Sequence, residues 1–393
     1  MKSLSEANTQ FALDMFRQFG KSKEDNIFYS PLSITSAFAM LLLGCRENTA
    51  LQIEKVGVSF VTLTCLNVAL HHCVSEHADG NVHHQFQKLL TELNKPTDAY
   101  ELKIANRLYG EKTCKFLQEY LANTKEFYLA SAESVDFKNA AEESVKKINS
   151  WVETQTNGKI KDLFPNKTLG NTTVLVLVNA VYFKGQWEKK FNKEDTKEGE
   201  FWLNKDTSKS VQMMSQRKSF NFALLEDVQA RVLEIPYKGK DLSMIVLLPN
   251  EIDGLQKLED KLTAEKLIEW TSSQNMSKRD VDLYLPRFKV EKTYDLKDVL
   301  MAIGVVDVFS PQDADLSGMT GSWGLAVTKA LHKSFVEVTE EGAEASTATG
   351  IAVSLTSPPY SIHEEFHCNH PFLFFIKQNK TNSILFFARV SSP

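Results

Sequence analysis

Five of the nine histidines fall in one short span, as His71, His72, His77, His83 and His84, with Cys73 and the acids Glu76 and Asp79 between them. Imidazole and thiolate are good ligands for zinc or copper. Their spacing matches no structural zinc module, and Asp79-Gly-Asn81 signals a turn in an exposed loop, so a polar surface stretch is expected there and no metal site is assigned. Cys368 stands two residues before His370, which puts a thiol near a base. Pro371 and the apolar run behind it make packing the expected role of that thiol. The chain contains no Gly-x-Ser-x-Gly, no Walker-type phosphate loop, no Gly-x-Gly-x-x-Gly and no His-Glu-x-x-His. Catalysis has no positive signal, and no cofactor is expected.

The elements that would position any site follow from periodicity. Ser3 and Glu6 form a capping box, and Leu4, Ala7, Phe11, Met15 and Phe19 recur at helical spacing before Gly20. Residues 32–43 are apolar on nearly every side, as in a helix buried within a large core. Val145, Ile148, Trp151 and Val152 again have helical spacing, ended by Asn157-Gly158. Continuous apolar runs at 174–178 and 242–248 mark strands covered on both faces. Runs at 372–376 and 384–387 flank a polar turn and predict a hairpin. Helices dominate early and strands late, which predicts an α+β fold. No repeat or linker divides the chain, so residues 1–393 are expected to form a single domain.

With 42% hydrophobic and 24% charged residues and a net charge of −5, the composition offers no bulk attraction for nucleic acid or an anionic membrane. The apolar stretch 56–70 is interrupted by polar residues and too short to span a bilayer, so no membrane segment is expected. The N-terminus lacks the apolar core of a secretory signal, and five cysteines make no even disulfide framework. These features predict a cytoplasmic address, with any release independent of a signal peptide. The sequons at Asn166, Asn171, Asn275 and Asn379 are then expected to be silent.

The informative stretch follows Phe335-Val-Glu-Val-Thr339, a strand by alternation. Glu340, Glu341, Gly342, Ala343, Glu344, Ala345, Ser346, Thr347, Ala348 and Thr349 come next. From Ala343 onward these are small residues with one acid. At period 2, Ala343, Ala345, Thr347 and Thr349 share one face, which a sheet could bury without burying charge. Pro358 and Pro359 would stop any ladder. A flexible linker would have the same composition.

The run from Glu340 to Thr349 resembles the hinge of inhibitory serpins. His370-Pro-Phe-Leu-Phe-Phe-Ile376 resembles the strand pair that follows their reactive loop. Asn26-Ile-Phe-Tyr-Ser-Pro-Leu-Ser33, Val178-Asn-Ala-Val-Tyr-Phe-Lys-Gly-Gln-Trp187, Asp315-Leu-Ser-Gly-Met319 and Leu331-His-Lys-Ser-Phe335 extend the likeness over nearly the whole chain. The missing signal and the terminal Ser391-Ser-Pro393 look like the intracellular ovalbumin-type branch. Two departures stand out. Residues 57–66 are more apolar than expected of close relatives, and the loop between Ser357 and Glu364 is about one residue longer.

The resemblance implies helices packed around three β-sheets with an exposed reactive loop at about 340–363. It implies a monomeric suicide inhibitor that is cleaved, holds the protease as an acyl-enzyme and inserts its hinge as a new strand. A count from Gly342 as in close relatives places the cut between Thr356 and Ser357, with Leu355 second from it. An apolar residue there suits papain-like cysteine proteases of the cathepsin type. A register shifted by one puts Leu355 before the cut and favours chymotrypsin-like serine proteases. The rival within the same fold is a non-inhibitory binding protein, whose hinge would carry charged or bulky inward residues.

Overall fold

A computed structural model describes residues 2–21, 25–57, 82–165, 167–322, 324–341 and 363–393. Helix α1 (Lys2–Phe19) begins one residue ahead of the predicted cap and ends as expected before Gly20. After strand β1 (Ile27–Tyr29), helix α2 (Pro31–Leu42) is buried at every position, as expected of a segment apolar on nearly every side, and its Ser33, Thr35 and Ser36 are buried with it. Ser30 caps it: its hydroxyl accepts from the Ser33 N–H at 3.1 Å, and Pro31 occupies the first turn, where a missing N–H costs nothing.

The remaining strands are β2 (Tyr100–Glu111), β3 (Ser131–Val135), β4 (Leu175–Gly185), β5 (Lys197–Trp202), β6 (Ser208–Leu225), β7 (Ala230–Pro236) and β8 (Leu242–Pro249). They are followed by β9 (Ser277–Pro286), β10 (Phe288–Asp295), β11 (Lys329–Val338), β12 (Glu364–His367), β13 (Phe372–Gln378) and β14 (Ser383–Val390). The predicted strands at 174–178 and 242–248 and the hairpin at 372–387 are β4, β8 and the β13–β14 pair. The helix predicted around Trp151 is Ala141–Gln155, and Asn157 (φ 51°) and Gly158 (φ 74°) supply its left-handed exit.

By hydrogen bonding, the strands of the three expected sheets form two networks. One has the order β10-β11-β4-β2-β3. The other runs β1-β14-β13-β8-β7-β6-β9-β12, with β5 on β6. The long strand β6 causes the merger, because residues 221–225 pair with β7 while its other residues pair with β9 and β5.

At the centre of the five-stranded sheet, β4 and β11 run parallel, from Lys329 opposite Val176 to Val336 opposite Phe183. Strand β4 is apolar on both faces. Val176, Val178, Ala180 and Tyr182 pack with Ile148 and Val152 of helix Ala141–Gln155, and Leu177, Val181 and Phe183 join the main core on the other side.

Asn179 is the polar exception in that strand, and it is fully buried. Its amide donates to the Ser33 hydroxyl at 2.6 Å and to Asn106 of β2, and its carbonyl pairs with His332 Nδ1 of β11. His332 Nε2 accepts the Ser30 N–H at 3.1 Å, and Asn106 donates to Ser36 at 2.9 Å. One polar cluster therefore ties three neighbouring strands to the first turns of α2. Its geometry requires a neutral imidazole with the proton on Nδ1, since a proton on Nε2 would face an N–H donor. Burial accordingly depresses the His332 pKa to about 3.

A folded-state pKa below the unfolded value means that this contribution is complete above about pH 6.5 and is lost as pH falls toward about 3. The slope for one such site is about 1.4 kcal/mol per pH unit. His332→Leu, which strands the Ser30 N–H and the Asn179 carbonyl, should cost about 1–3 kcal/mol per unpaired group at pH 7. Urea unfolding of both proteins at pH 7 and pH 5 should show the difference between them shrinking as pH falls.

Candidate reactive site

The described chain leaves β11 through Thr339, Glu340 and Glu341 and re-enters at His363, immediately before β12. The two anchors belong to different sheets: β11 lies between β4 and β10, whereas β12 is an edge strand lying parallel on β9. Of the predicted site residues, Glu340 and Glu341 are placed by the structure. Gly342, Ala343, Glu344, Ala345, Ser346, Thr347, Ala348, Thr349, Leu355, Thr356 and Ser357 lie outside the described residues.

The exit from β11 is held mainly through main-chain groups. Trp187 Nε1 donates to the Thr339 carbonyl at 2.8 Å, and the Phe191 N–H donates to the Glu340 carbonyl at 2.9 Å. Trp187 is itself fixed by stacking on Tyr237, with centroids 4.6 Å apart and planes 9° apart. The Glu340 side chain is buried, although glutamate seldom is without a partner. Its Oε1 accepts from the Thr196 hydroxyl at 2.9 Å, and the Arg287 guanidinium stands 3.8 Å away. Glu341 is partly buried and pairs with the exposed Lys193 at 2.6 Å. Such a surface pair contributes at most about 1 kcal/mol.

These partners were not legible beforehand. Trp187 ends the family-like run Val178–Trp187, but Thr196, Phe191 and Arg287 carry no pattern that would link them to position 340. At the far anchor, Phe366 is fully buried against Phe222 and fixes β12 in place, while the outward-facing Glu365 is exposed.

The other chemistry-bearing residues separate from this region. Cys368 is fully buried, and burial pushes its thiol pKa well up, away from the thiolate a nucleophile needs. His370 is engaged in structure, its Nε2 lying 2.8 Å from the Pro249 carbonyl. Packing, as expected, is what this pair does. His71, His72, Cys73, Glu76, His77 and Asp79 lie outside the described residues. His83 and His84 open helix Val82–Leu93. His83 Nδ1 meets the Tyr128 hydroxyl at 2.5 Å, and His84 packs edge-on against Phe127. Burial, aided by His84, lowers the His83 pKa to about 4. Among the described residues no group of three or more His, Cys, Asp or Glu side chains is arranged to hold a metal.

The family model for Serpin (serine protease inhibitor) matches residues 6–393. The chain belongs to the serpin family. It is 70% identical to human Serpin B3 over the full length of both chains, and 48% identical, again over both full lengths, to the leukocyte elastase inhibitor of Equus caballus. Among solved structures, uncleaved ovalbumin superposes with a TM-score of 0.87 at 39% identity, covering 99% of this chain and all of that one. The likeness extends to the serpin fold and to the ovalbumin-type branch. The family is described as one of serine protease inhibitors, and one of these relatives is an inhibitor by name.

The buried Glu340 carboxylate depends on Thr196 for its shortest contact. Thr196→Val should destabilise this serpin by about 1–3 kcal/mol, the cost of a buried charge that loses a donor. Adding Glu340→Gln should recover part of that loss, because a neutral amide has less to lose on burial. Urea midpoints of the two variants and the parent measure both effects.

Proposed function

We propose that this serpin is a suicide-substrate inhibitor of papain-like cysteine proteases of the cathepsin type and of chymotrypsin-like serine proteases, cut between Thr356 and Ser357. The observation that carries the proposal is the chain path. A segment of small residues continues directly from β11, and β11 is paired in parallel with β4 at the centre of a sheet.

The attacking protease supplies the nucleophile and becomes an acyl-enzyme on the residue before the cut. The freed hinge then enters between β4 and β11, carrying the protease to the far end of the sheet before water releases it. Ala343, Ala345, Thr347 and Thr349 suit the covered face of that new strand, since none is charged or large. About a dozen residues gaining ladder hydrogen bonds at about 0.5–1.5 kcal/mol each would release on the order of 10 kcal/mol, comparable to the stability of a whole domain. The uncharged inward hinge positions favour this reading over a binding protein whose loop never inserts.

Leu355, second from the cut, supports cysteine-protease targets. If the cut follows Leu355 instead, the chymotrypsin-like preference is stronger, and a relative named for inhibiting leukocyte elastase is in keeping with serine-protease targets. We further infer a single-domain monomer acting in the cytoplasm.

Incubation with cathepsin L and, separately, chymotrypsin should yield an adduct stable on a denaturing gel. Mass spectrometry should then find a released C-terminal peptide beginning at Ser357. A peptide beginning at Thr356 would move the cut to Leu355. Cleavage without any adduct would refute inhibition and leave the fold assignment standing.

Thr347→Arg would bury a charge on the inserting face. It should slow insertion so that hydrolysis wins, turning the inhibitor largely into a substrate. Titration of protease activity would then show the moles of serpin consumed per mole of protease rising at least several-fold.

A further inference from the structure

Asn157-Gly158 is the one Asn-Gly pair in the chain. It lies just past the end of helix Ala141–Gln155, and both residues are exposed. In an Asn-Gly pair the next main-chain nitrogen can reach the asparagine amide with no side chain in its way. The surroundings are open as well, since a Cβ built on Gly158 would meet nothing within 4 Å. A five-membered ring and an incoming water both have room there.

Two hydrogen bonds hold the reacting groups in their places. Asn157 Nδ2 donates to Glu101 Oε1 of β2, and the Gly158 N–H donates to the Glu153 carbonyl at 2.8 Å. The first of these joins the helix exit to the sheet below it. Earlier in the helix, Lys147 pairs with Glu133 of β3, and the Trp151 ring lies 4.4 Å from the Arg107 guanidinium of β2. Asn157 continues that row of fastenings to the exit. Helix ends open before the body of a helix does, and opening at this end releases the amide and the nitrogen together.

We propose that Asn157 is a deamidation site gated by Glu101, and that its conversion loosens the C-terminal end of helix Ala141–Gln155 from β2. The Gly158 nitrogen attacks Asn157 Cγ and a C–N bond forms. The side-chain nitrogen leaves as ammonia, taking the proton that Gly158 gives up. Water then opens the succinimide ring to aspartate or isoaspartate. Either product puts a carboxylate beside Glu101, so a hydrogen bond between helix and sheet becomes a like-charge contact.

Asn149, within the helix and followed by Ser150, is the internal control. Its amide donates to the Phe164 carbonyl at 2.8 Å and its carbonyl accepts the Phe164 N–H at 2.9 Å, so it should persist while Asn157 converts. The proposal does not depend on cleavage of the loop.

The test holds the full-length protein at pH 7.4 and 37 °C and follows Asn157 by mass spectrometry of digests, with the chain unfolded in guanidinium chloride as the ungated reference. The folded parent should convert more slowly than the unfolded chain by about fivefold or more, and Glu101→Ala should convert faster than the parent by about threefold or more, the usual worth of a bond to a charged acceptor. No conversion in the folded parent by the time the unfolded chain has converted fully, or equal rates in the parent and Glu101→Ala, overturns the gated site. Hydrogen exchange reads the consequence. In Asn157→Asp, amides of residues 150–156 should exchange faster than in the parent by about fivefold or more. Adding Glu101→Gln, which offers the new carboxylate a donor, should bring them back to within about twofold. Exchange in Asn157→Asp equal to that of the parent, or unchanged by Glu101→Gln, overturns the loosening.

Discussion

The parallel pairing of β4 with β11 is the constraint on which the rest of this structure depends. Both strands are covered on both faces, so apolar burial holds the sheet without specifying that these two should be neighbours. Specification comes from the polar cluster of Asn106, Asn179 and His332 beneath the start of α2. Each of these groups is satisfied only in this order of strands, because every one of them reaches across to a neighbour. A buried polar network of this kind is costly when half satisfied and rigid when complete. It therefore locks the closed sheet and also marks where an opened sheet would have to break.

The exit from β11 obeys a different physics. Its two main-chain carbonyls are held by the Trp187 and Phe191 N–H groups, and its one buried carboxylate by a hydroxyl and a distant guanidinium. The surface Lys193–Glu341 pair adds little. Thus the exit is anchored by few contacts, each specific, beside a strand pair anchored by many. The proposed mechanism, in which this segment stays put until it is cut, needs that balance.

Legibility in the sequence followed these same distinctions. Strands β4, β8, β13 and β14 could be read because continuous apolar runs need no partner to be recognised. Helix α2 was readable because its residues are apolar on nearly every side. Strand β6 was not, because its 18 residues mix polar and apolar positions to suit three different neighbours. The hinge was legible as a run of small residues, and its meaning came from family resemblance. Its partners were hidden because Thr196 and Trp187 lie 144 and 152 positions away in the chain, and because Trp187 reaches a carbonyl, which any residue type presents. Residues 58–66 of the apolar stretch 57–66 and most of the histidine cluster lie outside the described residues.

Topology adds a direction to the proposed mechanism. Strands β4 and β11 point the same way, and the hinge continues from the end of β11. A hinge that turns back to lie between them must run antiparallel to both. One parallel pair would then be exchanged for two antiparallel pairs, each slightly more stable per residue and together presenting twice the ladder. The cut is what permits this, since the other end of the segment is tied through β12 to β9 in a different sheet. An intact loop is held at both ends and cannot deliver its full length. In the proposed mechanism the chemical step would remove a tether, and the energy released would belong to the sheet.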